Sequence, residues 1–242
     1  VLVYLVRRNA CKKVKVSNQC AGNVDGLVTF CSATTHILNV VRQHLTTTRN
    51  MTEETKNTIH DLAVKKIIAD FDFIKEKSNG ETIYGFGLGI VGDITGFFSA
   101  GNTIESIKRK LTQDGEEFDS SDLWYISEWE YEGTNDNTLY KFLATFIYDI
   151  EDGKYESAMK DYEDTLIKAL KTCDKKGIFG KGEERENIIV YLHYADATDE
   201  NVDDNSSEQI NPENIHSLFK QRWNDENNNL TKIILEKTEN IA

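Results

Sequence analysis

Cysteine, proline, long apolar runs and, past residue 50, positive charge are all scarce in this chain. Each scarcity removes a class of protein. Of the four cysteines, Cys11, Cys20 and Cys31 lie in the first fifty residues and form no Cys-x-x-Cys pair, so no zinc template is present. The fourth, Cys173, sits at the end of a helix-like run. A single thiol there argues for a reducing compartment and against a disulfide framework. No stretch is long and apolar enough to span a bilayer. The opening VLVYLVRRNACKK puts its apolar residues before its charges, the reverse of a secretory signal. A cytoplasmic protein is expected. No internal repeat occurs.

Charge divides the chain. Residues 1–50 carry seven Lys or Arg against one acid, Asp25, a net of +6. Residues 51–242 carry 21 basic and 40 acidic side chains, a net of −19. A field of that sign repels nucleic acid and anionic membrane, and it favours a basic protein partner. An acidic surface that serves solubility alone is the competing account.

The division coincides with Met51. Before it, LVTFCSATTHILNVVRQHL reads as a strand and a short helix, with poor periodicity. Residues 1–50 are either a small accessory subdomain or an upstream extension of the reading frame outside the native coding sequence. The absence of an earlier methionine, the charge reversal and the weak pattern favour the extension; a start at an alternative codon keeps the subdomain open.

Past Met51 the pattern sharpens. Thr52 or Thr55 caps a helix over 52–78, whose Ile59, Leu62, Ala63, Ile67, Phe71 and Ile74 make one apolar stripe. Ser78–Gly80 ends it, with Gly80 free to turn left-handed. In TIYGFGLGIV, alternation puts Tyr84, Phe86, Leu88 and Ile90 on one face and Gly85, Gly87 and Gly89 on the other. A turn at Gly92–Asp93 and a returning strand complete a hairpin over 82–100. Asn102 and Glu105 suggest a capping box for a helix over 102–112. LWYISEWEYEG reads as a strand running into a turn. Helices follow over 138–150 and 154–172. The run at 187–195 reads as a central strand, buried on both faces. DATDENVDDNSSEQ reads as a polar, mobile loop. The one proline, Pro212, stands at a first helical position. Short helices at Ile215–Trp223 and Leu230–Lys237 finish the chain.

Candidate chemistry is thin. GLGIVG has the glycine spacing of a dinucleotide loop, but a strand follows it where a helix is required. The glycines fit better as a flattened sheet face on which a helix or ring lies close. FGKGEER lacks the first glycine of a phosphate loop and has Gly182 where magnesium needs a hydroxyl. The acidic loop near 196–208 lacks the glycine and spacing of a calcium loop. His193 shares a strand face with Ile189 and Tyr191, which suits a core histidine better than a base. No Ser-His-Asp or Cys-His pairing has convincing spacing. No catalytic residue, cofactor or metal is called. Trp124 and Trp129 fit core packing or, in the sharper reading, an interface anchor.

In order along the chain, Tyr84, Phe86 and Leu88; Ala100, Asn102 and Thr103; Leu123, Trp124, Glu128 and Trp129; and Phe179, Gly180, Gly182 and Arg185, leading to Asp196, resemble a bacterial family of unknown function, DUF4303. The likeness spans about residues 51–223 and leaves out 1–50. It supplies no catalytic residues. Small acidic families of this kind look like immunity proteins of toxin systems, an analogy only.

The expectation is one α+β domain over residues 51–242, with an antiparallel or mixed sheet covered by several helices. Two functions compete. One is a protein-binding module, such as an immunity protein that blocks a basic toxin. The other is a small-ligand binder or hydrolase with a cleft beside the Gly-rich strand, lined by Arg185, Glu128 or His193. Trp124, Glu128, Trp129, Arg185 and Asp196 are the candidate interface or pocket residues. Peptide mapping of the native protein is expected to begin at Met51. A tryptic peptide ending in Arg49 would show that residues 1–50 are translated.

Overall fold

The computed structural model describes residues 2–7 and 10–15 by their backbone, and residues 51–112, 118–147, 150, 153–199, 201–224 and 229–241. The chain divides into two units, residues 1–47 and 48–242. In the first, β1 (Leu2–Arg7) and β2 (Ala10–Lys15) form an antiparallel hairpin that sequence reading did not anticipate. The strand and helix expected for LVTFCSATTHILNVVRQHL lie outside the described residues.

The second unit is an α+β domain. It begins with α1 (Glu53–Lys77), capped by Thr52, whose Oγ1 accepts from the Thr55 amide at 3.1 Å. The helix closes through Asn79 and Gly80, both at positive φ (48° and 90°). A hairpin follows, β3 (Ile83–Val91) and β4 (Asp93–Thr103). The short β5 (Tyr131–Glu132) flanks β4, and β6 (Ile189–Tyr194) runs parallel to β3. The sheet is mixed, in the order β5-β4-β3-β6. Against one face pack α1, α3 (Thr138–Phe146) and α4 (Tyr155–Lys175), meeting Phe86, Leu88, Ile90, Val190 and Leu192. Against the other pack α2 (Ile104–Thr112), α6 (Glu213–Lys220), α7 (Leu230–Glu239) and two 3₁₀ turns at 120–123 and 126–128.

The glycines of β3 explain how the second face closes. A Cβ on Gly85 would stand 2.8 Å from the Trp129 ring, and one on Gly87 would stand 2.1 Å from Ile126 Cδ1. The expected flat, ring-accepting face is therefore present. Tyr84 departs from its expected face. A register shift between Ile83 and Gly85 turns it toward Trp124 and Trp129, where its hydroxyl donates to Leu123 O at 3.1 Å.

Four other local expectations need correction. Asn102 does not cap α2; it belongs to β4, and its amide donates to Tyr84 Oη at 3.0 Å. Thr103 and Ser106 cap the helix reciprocally, Ser106 N to Thr103 Oγ1 at 3.0 Å and Thr103 N to Ser106 Oγ at 3.2 Å. Glu105 instead accepts from the Thr82 amide at 2.8 Å. The Trp124–Trp129 segment forms 3₁₀ turns, not a strand, because both indoles turn inward onto the glycine face.

The third and fourth corrections are linked. β6 is an edge strand, not a central one, and the expected mobile loop holds α5 (Val202–Ile210), which covers that edge. Ser206 Oγ accepts from Leu192 N at 2.9 Å. Asn211 accepts from Val190 N at 2.8 Å and donates to Val190 O at 2.7 Å. Side chains thus replace a missing neighbour strand.

Asp70 joins α1 to the β4 side of the sheet. Its side chain is fully buried and accepts from Lys66 Nζ (2.9 Å), Ser99 Oγ (2.6 Å), Thr134 N (2.9 Å) and Thr134 Oγ1 (2.5 Å). Lys66, 5% exposed, also donates to Thr134 O at 3.1 Å. Removing one member of such a buried pair costs about 3–5 kcal/mol, because the other charge is stranded. Asp70→Ala is expected to lose that much in urea unfolding. Lys66→Met combined with Asp70→Ala should lose less than Asp70→Ala alone; equal or greater loss would deny the stranded charge its role.

Candidate functional site

The carboxyl ends of β3 and β6 lie side by side, the place where sheets with parallel strands most often bind ligands. A cleft of about 340 Å³ opens there, lined by Tyr125, His193, Asp199, Asp203, Arg222 and Trp223 among others. β6 supplies His193, α5 supplies Asp203, and the turn after α6 supplies Arg222 and Trp223. Tyr125 comes from between the two 3₁₀ turns.

The floor of the cleft is polar and ordered. His193 Nδ1 bonds Asp203 Oδ1 at 3.0 Å, and its Nε2 has no described partner. Asp203 is 6% exposed; its Oδ2 lies 3.7 Å from Arg222 Nη2, too far for a hydrogen bond. Arg222 Nη1 donates to Asp204 Oδ1 and to Phe219 O, and the guanidinium lies 4.0 Å from the Phe219 ring centre. Its Nε is sealed from solvent and has no hydrogen-bond partner among the described residues. Asp199 Oδ1 accepts from the Asn201 backbone and side chain at 2.9 and 3.2 Å.

The walls are aromatic and open. Tyr125 and Trp223 are 47% and 49% exposed, and their rings meet edge to face with centroids 6.5 Å apart. Tyr125 also stacks on His193, at 5.7 Å and 25°. Trp124 fixes both walls from below. Its indole N–H donates to Thr231 Oγ1 at 3.1 Å, and that hydroxyl donates to Arg222 O at 2.8 Å. The Trp124 carbonyl accepts from Tyr191 Oη at 2.5 Å. Burial pushes the Tyr191 hydroxyl well above the ordinary tyrosine range, so it stays a donor.

The sequence-named candidates do not gather in this cleft. Trp124 and Trp129 are buried, and the Trp129 indole donates to Leu123 O at 3.1 Å. Glu128 is exposed; its backbone amide donates to Tyr125 O at 2.9 Å, and its carboxylate takes no hydrogen bond from a described residue. Arg185 is buried and fully engaged. Its Nε meets Asp174, Nη1 donates to Ile188 O at 2.5 Å, and Nη2 donates to Asn211 Oδ1 at 3.0 Å. It therefore joins α4 to the residue that precedes β6 and, through Asn211 and Ile210 O (3.4 Å), to the end of α5. Asp196 is exposed at the turn after β6 and accepts from the Gly92 amide at 2.7 Å, pinning the hairpin tip. That bond, with help from Thr198, holds its carboxyl below the ordinary aspartate range.

Of the residues weighed for a pocket, His193 alone lines the cleft. Tyr125, Asp203, Arg222 and Trp223 were missed. A polar segment and two residues after a helix carry no periodic signal, though the exposed Tyr125 beside an inward Trp124 was a clue. The cleft expected beside the Gly-rich strand corresponds to a hollow of about 300 Å³ at Gly89–Val91, lined by Lys66, Phe98 and Tyr140; Arg185, Glu128 and His193 do not line it. Among the described residues no three His, Cys, Asp or Glu side chains cluster as metal ligands. No described helix is long and apolar enough to cross a membrane.

Comparison with known proteins gives one match. The family model of DUF4303, a domain of unknown function, matches residues 64–212. No curated protein and no solved structure matches the chain. The matched stretch holds Asp70, Trp124, Trp129, Arg185 and Asp196. A lysine cannot reproduce the fork of Arg185, so Arg185→Lys is expected to cost roughly 3 kcal/mol in denaturant unfolding. An unchanged midpoint would remove Arg185 from the scaffold.

Proposed function

The chain belongs to the DUF4303 family, and on that footing we propose that it is a non-catalytic protein-binding module whose partner is a basic protein. The observation that carries this reading is charge: a net of −19 over residues 51–242. Such a field speeds encounter with a positive surface and repels acidic competitors. The aromatic-walled cleft adds support, since exposed tyrosine and tryptophan are favoured anchors in interfaces. In its specific form the module is an immunity protein that neutralises a basic toxin by covering it.

A second reading rests on His193. Its Nδ1 is held by Asp203 while Nε2 has no described partner, the arrangement of a general base at a small-ligand or hydrolytic site. Among the described residues no nucleophile is hydrogen-bonded to the ring, so the binding reading is preferred.

The test is complex formation with the product of an adjacent toxin-like gene. Binding is expected, with affinity falling by about tenfold or more between 50 and 500 mM salt as screening sets in. Failure to bind or neutralise that product would end the immunity reading.

A further inference from the structure

We propose that the cleft at the end of β6 receives an arginine side chain of the basic partner, stacked on Tyr125 or Trp223 and hydrogen-bonded to Asp203. This rests on the basic-partner reading above and says where its first contact lies. Three observations converge on a flat cationic donor.

The first is an acceptor with spare capacity: Asp203 bonds His193 through Oδ1 and forms only a loose ion pair with Arg222 through Oδ2. Asp203 is 6% exposed and lines the cleft, yet its Oδ2 takes no hydrogen bond from a described residue and stands 3.7 Å from the nearest guanidinium nitrogen. A carboxylate oxygen that faces a cleft with no donor in hydrogen-bond range can accept from an entering guanidinium. Asp199 offers a second oxygen at the rim, because the described bonds engage its Oδ1 alone.

The second is charge. Asp199 and Asp203 line the cleft with a single arginine, Arg222, which is ion-paired with Asp203 and with Asp204 behind it and donates to Phe219 O. An anion would meet two carboxylates and find Nη1 of Arg222 committed and Nη2 facing Asp203. A cation is favoured.

The third is shape. Tyr125, stacked on His193, and Trp223, beside Arg222, still leave about half of each side chain exposed, and 340 Å³ is small for a cofactor but ample for one long side chain. The site already displays the chemistry, since Arg222 lies over Phe219 and within 5.4 Å of the Trp223 ring centre. A planar guanidinium can stack and donate in one pose, whereas lysine has no flat face to stack.

The full chain would be titrated with N-acetyl-arginine methylamide, and with its neutral citrulline counterpart, while two-dimensional NMR follows the indole N–H of Trp223. That group is distinguishable because Trp124 and Trp129 are buried. The arginine probe is expected to bind saturably, at least tenfold more tightly than citrulline. Asp199→Asn should weaken it several-fold without altering the fold. In the partner-binding assay, Trp223→Ala with Asp199→Asn should weaken binding roughly tenfold. Equal shifts from arginine and citrulline would overturn the proposal. So would partner binding indifferent to the double variant, which would leave the basic-partner reading standing. Probe binding by a chain that binds no basic protein would do the opposite: it would remove that reading and assign the cleft to a free guanidino compound.

Discussion

The domain is organised around a charge placed where water cannot reach it. Asp70 sits in the second half of α1 with no exposed surface, and its two oxygens collect donors from Lys66, Ser99 and Thr134. Those donors come from three separate places: the same helix one turn away, the middle of β4, and the loop after β5. A carboxylate in such a setting is tolerable only when all are present together. The register of α1 on the sheet and the path of the chain past Gly133 are therefore fixed jointly. A Cβ at Gly133 would stand 2.7 Å from the Asp70 carboxyl carbon, so the backbone there must be bare to let the carboxylate in.

The same principle recurs at the other side of the sheet. The outer edge of β6 finds its partners in Ser206 and Asn211, and Arg185 holds Asn211 in place. This is why the second half of the chain was hard to read. Apolar periodicity made α1 and α4 legible, and alternation with glycine made β3 legible down to the ring resting on it. α5 turns Ser206, Ser207 and Asp203 inward, so its buried face looks like a solvated loop. Tyr84 deceived for a related reason: strict alternation assigned its face, and a bulge reversed it. The Asn102 capping box was a local pattern defeated by a strand that continues to Thr103, three residues past its expected end.

The site was legible only at one remove. Residues that stand out by type, the two inner tryptophans and Arg185, are the scaffold of the cleft more than its surface. Trp124 supports Tyr125 directly, and through Thr231 it supports the Arg222–Trp223 turn. The surface itself is built from single residues: Tyr125 from the 3₁₀ turns, and His193, Asp203 and Trp223 from three successive elements some seventy positions later. No spacing rule links Tyr125, His193, Asp203 and Trp223; the parallel placement of β6 and the packing of α5 and α6 bring them together.

That parallel placement has a consequence for how the chain reaches its fold. Gly85 pairs with Ile189, 104 positions later, and no short turn can join the two strands. Closing so long a loop is entropically slow, so the β3–β4 hairpin and α1 can assemble well before β6 arrives. Until then Ile188–Tyr194 is an apolar, β-branched segment with both edges bare, the kind most prone to pair with another chain. The segment that covers its outer edge is the one that follows it immediately. On a ribosome, α5 emerges just behind β6, so the strand's own successor is its nearest guard against aggregation.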